Sequence, residues 1–230
     1  ADFTAETTPF SAAKVDDFRE ILRPGTTVFI TFLPGSDFED TISIAARLKK
    51  EGLNPVPHLA ARSIPDAAFL DEGLRRLRGE ADIDEVLTIA GAVDQPLGAF
   101  SDSMQVLETG LLDKHGIKRV GVAGHPEGSP DMPDEAIAAA LTWKNDFANR
   151  SGADVYIVTQ FCFEAEPIIA WDKAIRAAGN ALPIRIGVPG LATIKTLLNY
   201  AKACGIGNSM MFLKKQARNV AKLMNVSAPD

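Results

Sequence analysis

Short apolar runs rich in Val and Ile alternate with longer amphipathic stretches along the chain. The runs at 2–8, 27–32, 55–59, 84–90, 118–123, 154–160 and 183–188 predict strands. Most are apolar on both faces, the mark of a parallel sheet covered on both sides. Between them, 11–23, 37–52, 65–80, 101–115, 133–151, 165–179 and 190–204 carry apolar residues at helical spacing. Several open on a capping residue or an early proline: Ser36, Ser63 ahead of Pro65, and Asp131 ahead of Pro133. Others close on glycine, at Gly52, Gly116, Gly152 and Gly205.

Strand–helix units of about 30 residues, repeated in a row, predict a (β/α)8 barrel of the TIM type. The reading is one domain over 1–230. Seven strands can be counted; 208–224 reads as a further helix, and an eighth strand is absent before Asp230. A barrel short of one strand has two open edges. A strand and helix beyond Asp230 are therefore expected, and an open edge also invites a homo-oligomer. The alternative is an open doubly wound sheet, for which no topological switch signal stands out.

Composition narrows the classes. With 46% hydrophobic and 23% charged residues the 230-residue chain is an ordinary globular protein. No apolar run approaches the roughly 18 residues of a membrane helix, and the start, ADFTAETTP, lacks the features of a signal peptide. Because the first residue is Ala, the true start is expected upstream. A net charge of −6 argues against nucleic acid. The basic run FLKKQAR at 212–218 shares helical spacing with Leu223 and reads as a solvated helix face. Two cysteines, Cys162 and Cys204, suggest no disulfide framework and fit a reducing cytoplasm. Three histidines without a CxxC make a structural zinc site improbable.

In a βα barrel the chemistry sits at the carboxyl ends of the strands. Read in order, those ends offer Glu6 in AETTP, Thr31, His58 followed by Arg62, AGAVD at 90–94, GHPEGSP at 124–130, Gln160, and GVPG at 187–190. Each has a bland reading: a solvated glutamate, a histidine bonded to backbone, a helix-start ion pair for Arg62, a simple turn in GHPEG. Together they gather a carboxylate, two imidazoles, a guanidinium and an amide on one rim, which favours a site. The run GIGNSM at 205–210 resembles a dinucleotide fingerprint but follows no strand, so it fails its context. Cys162, between Phe161 and Phe163, reads as a small buried residue. Asp94 with His58 is too little for a metal.

The AETTP at strand one, PHL at strand three, GHPEGSP after strand five and TQFCFE at strand six resemble the 5,10-methylenetetrahydrofolate reductases across nearly the whole chain. TQFCFE is the most specific piece. The resemblance implies a (β/α)8 barrel and a redox reaction on a folate one-carbon unit. In that family a reduced nicotinamide, NADH or NADPH, passes hydride to FAD, and the flavin reduces the folate. It implies that Glu6 is the general acid, a role suiting a part-buried carboxyl because desolvation favours the protonated form. It implies substrate binding by Gln160, Phe161 and Asp94, with Gln160 reading the pterin. It implies cofactor binding by Thr31, His58, Ala90, Gly91, His125, Glu127 and Lys144.

The departures fall on the flavin side. Where the family usually carries Arg-Gly-Asp after strand four, this chain has Ala90, Gly91 and Ala92. The usual tyrosine after strand five is His125, and a usual histidine is Ser129. Either flavin is held by other contacts, or hydride passes directly from the nicotinamide to the folate. Two readings from other classes stand beside the reductase: a non-redox folate-binding barrel serving one-carbon or methyl transfer, and an unrelated barrel acting on a phosphorylated metabolite.

Overall fold

The computed structural model describes residues 3–129, 132–190, 193 and 197–198. The expected helix over 208–224, most of that over 190–204, and Asp131, Cys204 and Gly205 lie outside the described residues. The strands are β1 (Ala5–Thr7), β2 (Thr27–Ile30), β3 (Asn54–Ala60), β4 (Glu85–Ile89), β5 (Arg119–Gly124), β6 (Asp154–Thr159) and β7 (Ile184–Arg185). The helices are α1 (Pro9–Ala12), α2 (Phe38–Lys50), α3 (Ala67–Ala81), α4 (Ser103–Glu108), α5 (Leu111–Lys114), α6 (Asp134–Ser151) and α7 (Ala165–Ala177). The sheet runs β1 to β7 in sequence order. Its registered pairs, β1 through β5 and β6 with β7, are parallel. A doubly wound sheet must reverse its order at a switch point; among the described residues this one does not, and the architecture is α/β of the TIM-barrel class.

Contacts group the chain into two units, residues 1–123 with 150–156, and residues 124–149 with 157–230. In the first unit α2 packs on β2, β3 and α3. Val28, Ile30 and Leu59 from the strands, Ile42 and Leu48 from α2, and Leu74 and Leu77 from α3 are at most 2% exposed. Each such side chain contributes about 1.5–3 kcal/mol when buried. At the amino ends of the strands, Glu85 accepts from the Tyr156 hydroxyl at 2.6 Å and from Arg119 Nη1 at 3.0 Å. Arg119 Nε reaches Asp154 at 3.0 Å. In a barrel that end serves stability, and this network, buried at Glu85 and Tyr156 and exposed at Asp154, serves it here.

In the second unit β6 pairs with β7, Ile157 opposite Ile184. Asn180 ties the loop before β7 to α6, its amide donating to the Leu141 carbonyl at 3.3 Å.

Several expected helices differ. The helix over 11–23 is only α1 plus a 3-10 turn at Phe18–Glu20. Thr8 caps α1 through Ser11 N–H at 3.0 Å, but Arg47 of α2 takes the carbonyls of Ala12, Val15 and Asp16 at 2.5–3.0 Å. Those carbonyls, needed to continue a helix, go to a guanidinium instead. The stretch 101–115 splits into α4 and α5 at Gly110, whose φ of +69° a helix cannot contain. The caps are Asp37 rather than Ser36 and Asp66 rather than Ser63, because each aspartate accepts from an amide of the first turn.

Candidate functional site

At the carboxyl ends of β1 to β3 the ladder brings three of the expected residues together. Glu6 pairs with Phe29, and Phe29 with Val56. Two residues further along each strand, on the same face, come Thr31 and His58. The Thr31 hydroxyl donates to Glu6 Oε1. Glu6 is exposed rather than part-buried as expected, because it sits on a three-residue strand that begins the sheet order.

His58 is the opposite case. It is 6% exposed, and neither ring nitrogen has a hydrogen-bond partner. Phe29 meets its ring edge-on at 6.1 Å between centroids. Burial pushes its pKa down to about 4, against the opposing pull of the Glu6 charge. The bland expectation of a histidine bonded to backbone is overturned. Buried polar groups without partners are rare, and each one in a native fold calls for an explanation such as a bound group.

Arg62 is neither a rim cation nor a helix-start ion pair. Its Nε donates to the Ser101 carbonyl at 2.9 Å, and its backbone N–H to Ala90 O at 2.9 Å. Arg62 thereby secures both ends of the loop after β4. That loop carries Gly91, with φ of +91°, and exposed Asp94. A side chain on Gly91 would bring its Cβ to 3.1 Å from that of Ala60.

The second unit holds another group. Past β5, GHPEG is indeed a turn, Gly128 N–H donating to His125 O at 3.1 Å. Burial pushes the His125 pKa down to about 4, and the Lys144 charge adds to that. Lys144 itself is 5% exposed on α6. Cys162 is 3% exposed, and burial, with the Glu127 carboxylate beside it, pushes its thiol up to about 12. A thiol held protonated is inert, as the sequence reading expected.

Gln160 and its neighbours Thr159 and Cys162 are tied to β5 and to the stretch after β7. The Gln160 N–H donates to Gly124 O at 2.9 Å; Gly187 N–H donates to Thr159 Oγ1 at 2.9 Å, and Cys162 N–H to Gly187 O at 3.2 Å. The Gln160 side-chain Oε1 accepts from Phe161 N–H at 3.0 Å. That bond sets the amide orientation and leaves the NH2 donors and one oxygen lone pair unengaged. Phe161 meets Phe163 edge-on at 5.8 Å. Gly187 must be glycine because a Cβ there would lie 2.7 Å from Thr159 O and 3.2 Å from Phe161 N. Gly187→Ala is expected to cost about 1–3 kcal/mol of stability and to weaken ligand binding through Gln160. Denaturant unfolding and a binding titration check both.

Among the described residues no group of three or more His, Cys, Asp or Glu could hold a metal, and no helix is long and apolar enough to cross a membrane. The thr–glu pairing and the Arg62 clamp escaped the sequence reading. The only available signal was that Thr31 and Glu6 end adjacent strands.

A parallel βα sheet whose strands follow in sequence order defines a protein of the βα-barrel class. The family model described as methylenetetrahydrofolate reductase matches residues 14–220. The chain belongs to that family. Methylenetetrahydrofolate reductase 2 of Saccharomyces cerevisiae is 30% identical over 161 residues, 66% of this chain and 26% of the relative. Methylenetetrahydrofolate reductase 1 of Schizosaccharomyces pombe is 36% identical over 107 residues, 46% of this chain and 16% of the relative. The aligned stretches thus span 26% or less of these curated relatives. Among solved structures, the Thermomonospora fusca β-mannanase–mannotriose complex covers 89% of this chain and 75% of its own, with a TM-score of 0.49 at 14% identity. That distance is too great to bear on fold or function.

Proposed function

We propose that this chain is the catalytic barrel of an NAD(P)H-dependent reductase that converts 5,10-methylenetetrahydrofolate to 5-methyltetrahydrofolate. The observation that carries this reading is an exposed carboxyl, Glu6, held at a strand end by Thr31 beside a buried imidazole with two unpartnered nitrogens. Family membership supports the substrate class.

The methylene carbon of the folate bridges two nitrogens in a ring that resists hydride. Glu6 protonates the departing nitrogen, the C–N bond breaks, and an iminium remains on the other nitrogen. That carbon would then accept a hydride whose ultimate source is the reduced nicotinamide, giving the methyl group and oxidised nicotinamide. Family membership supports substrate-binding roles for Gln160, whose NH2 suits the edge of a pterin, for Phe161 and for Asp94. His58 stays neutral at physiological pH, so it does not compete with Glu6 as an acid.

In the first unit the two unpartnered nitrogens of His58, with Thr31, Ala90 and Gly91, suit the polar ring of FAD. Family membership supports cofactor roles for His125, Glu127 and Lys144 as well. When bound, FAD supplies hydride relay between nicotinamide and folate. The second reading is direct transfer without flavin, favoured by uncharged Ala90 and Ala92 where the family usually carries Arg and Asp.

The test is the purified protein with methylenetetrahydrofolate and either NADH or NADPH. Folate-dependent oxidation of one of them is expected, and a yellow flavin spectrum decides between the two hydride routes. Folate binding without oxidation would instead make this a non-redox folate-binding barrel. A preference for sugar phosphates over folates would remove the reading altogether.

A further inference from the structure

We infer that Thr31 is a positioning residue for Glu6, one that decides which carboxyl oxygen carries the transferable proton. The inference rests on the proposed reductase reading, and it assigns the hydroxyl a task separate from any cofactor contact.

Three observations carry it. The Thr31 hydroxyl donates to Glu6 Oε1, and among the described residues it is the hydrogen-bond partner of that carboxyl. Thr31 is itself well anchored: its N–H extends the parallel ladder to Thr7 O at 2.8 Å, and a β-branched side chain has few χ1 choices. Glu6 by contrast stands exposed on a three-residue strand, where a long flexible side chain would otherwise sample many rotamers. His58 does not share the task, since neither of its nitrogens is bonded to the carboxyl.

A hydroxyl has one proton to give. Committed to Oε1, it makes that oxygen an acceptor whether Glu6 is ionised or protonated. The acidic proton then resides on Oε2, the oxygen left to face a substrate nitrogen. Without the hydroxyl the proton can sit on either oxygen and the carboxyl can swing, so fewer bound complexes are aligned for transfer.

The test compares the wild type, Thr31→Val, Thr31→Ser and Glu6→Gln. Valine keeps the branched shape and loses the donor; serine keeps the donor. Thr31→Val should lower kcat about tenfold or more while KM for the folate stays within about threefold, and Thr31→Ser should recover most of the loss. A turnover-independent readout is 13C NMR of protein labelled at the glutamate carboxyl carbon. The Glu6 resonance, identified by its absence in Glu6→Gln, should move in Thr31→Val and stay near its wild-type position in Thr31→Ser. An unmoved resonance with unchanged kcat in Thr31→Val overturns the inference alone, provided Glu6→Gln is inactive. Full turnover in Glu6→Gln overturns the acid assignment, and with it any catalytic role for Thr31.

Discussion

Glu6→Gln is expected to lose turnover by about 10²–10⁴-fold, the usual worth of a positioned proton donor, while folate affinity holds within a few-fold. The substitution is close to isosteric, and the amide oxygen can still accept from the Thr31 hydroxyl that Glu6 engages. What disappears is an acidic proton that can be passed to the departing nitrogen. Stability should change by no more than about 0.5 kcal/mol, because the residue is exposed. Single-turnover kinetics and a folate titration on the same preparation separate chemistry from binding. Undiminished turnover would strip Glu6 of its role in the reaction.

The second large effect runs the other way: His58→Leu should stabilise the fold and impair function. The imidazole is 6% exposed with both nitrogens unpartnered, and leaving a buried polar group unsatisfied costs about 1–3 kcal/mol. Leucine has a similar volume and no polar atom, and it would meet Phe29 and the cross-strand neighbour Leu87. A gain of about 2 kcal/mol corresponds to roughly 4–8 °C in Tm for a chain of this size. Ligand binding should weaken at the same time, since a site that stores instability for a ligand pays for it in the free protein.

The pH dependence supplies a second signature. His58 titrates near 4 when folded instead of its ordinary 6.5, so between those values the unfolded chain binds the extra proton. Stability from this residue is therefore complete above about pH 6.5 and is lost as pH falls through 4, by about 3 kcal/mol in all. His125, also depressed to about 4, contributes in the same direction, so His58→Leu should flatten the acid limb without abolishing it. Chemical denaturation from pH 7 to pH 4 measures the slope. A variant less stable than wild type at every pH would show that the imidazole has a partner-like role in the fold itself.

How far the sequence carried varies by element. The expected strand over 154–160 is β6 at Asp154–Thr159, and the helix over 165–179 is α7 at Ala165–Ala177. Both are written in local periodicity, which needs no knowledge of distant residues. The helix over 11–23 was misread because Arg47 and Glu51, more than thirty residues on, claim the backbone of 12–18. At the site, the residue types at Glu6, His58 and Gln160 were legible as chemistry on strand ends. Their states were not: Glu6 is exposed where a part-buried carboxyl was expected, His58 is unpartnered where backbone bonding was the ordinary reading, and the Gln160 carbonyl is already engaged by Phe161.

By itself, then, the chain's alternation of β-branched runs and amphipathic stretches determined the parallel βα architecture and which side chains stand at the strand ends, because both follow from spacing along the backbone. Only the tertiary structure decided that Thr31 meets Glu6, that Arg62 secures the loop after β4, and that no partner reaches His58. Those outcomes depend on strand register and on what is packed nearby, and neither is encoded within reach of the residue concerned.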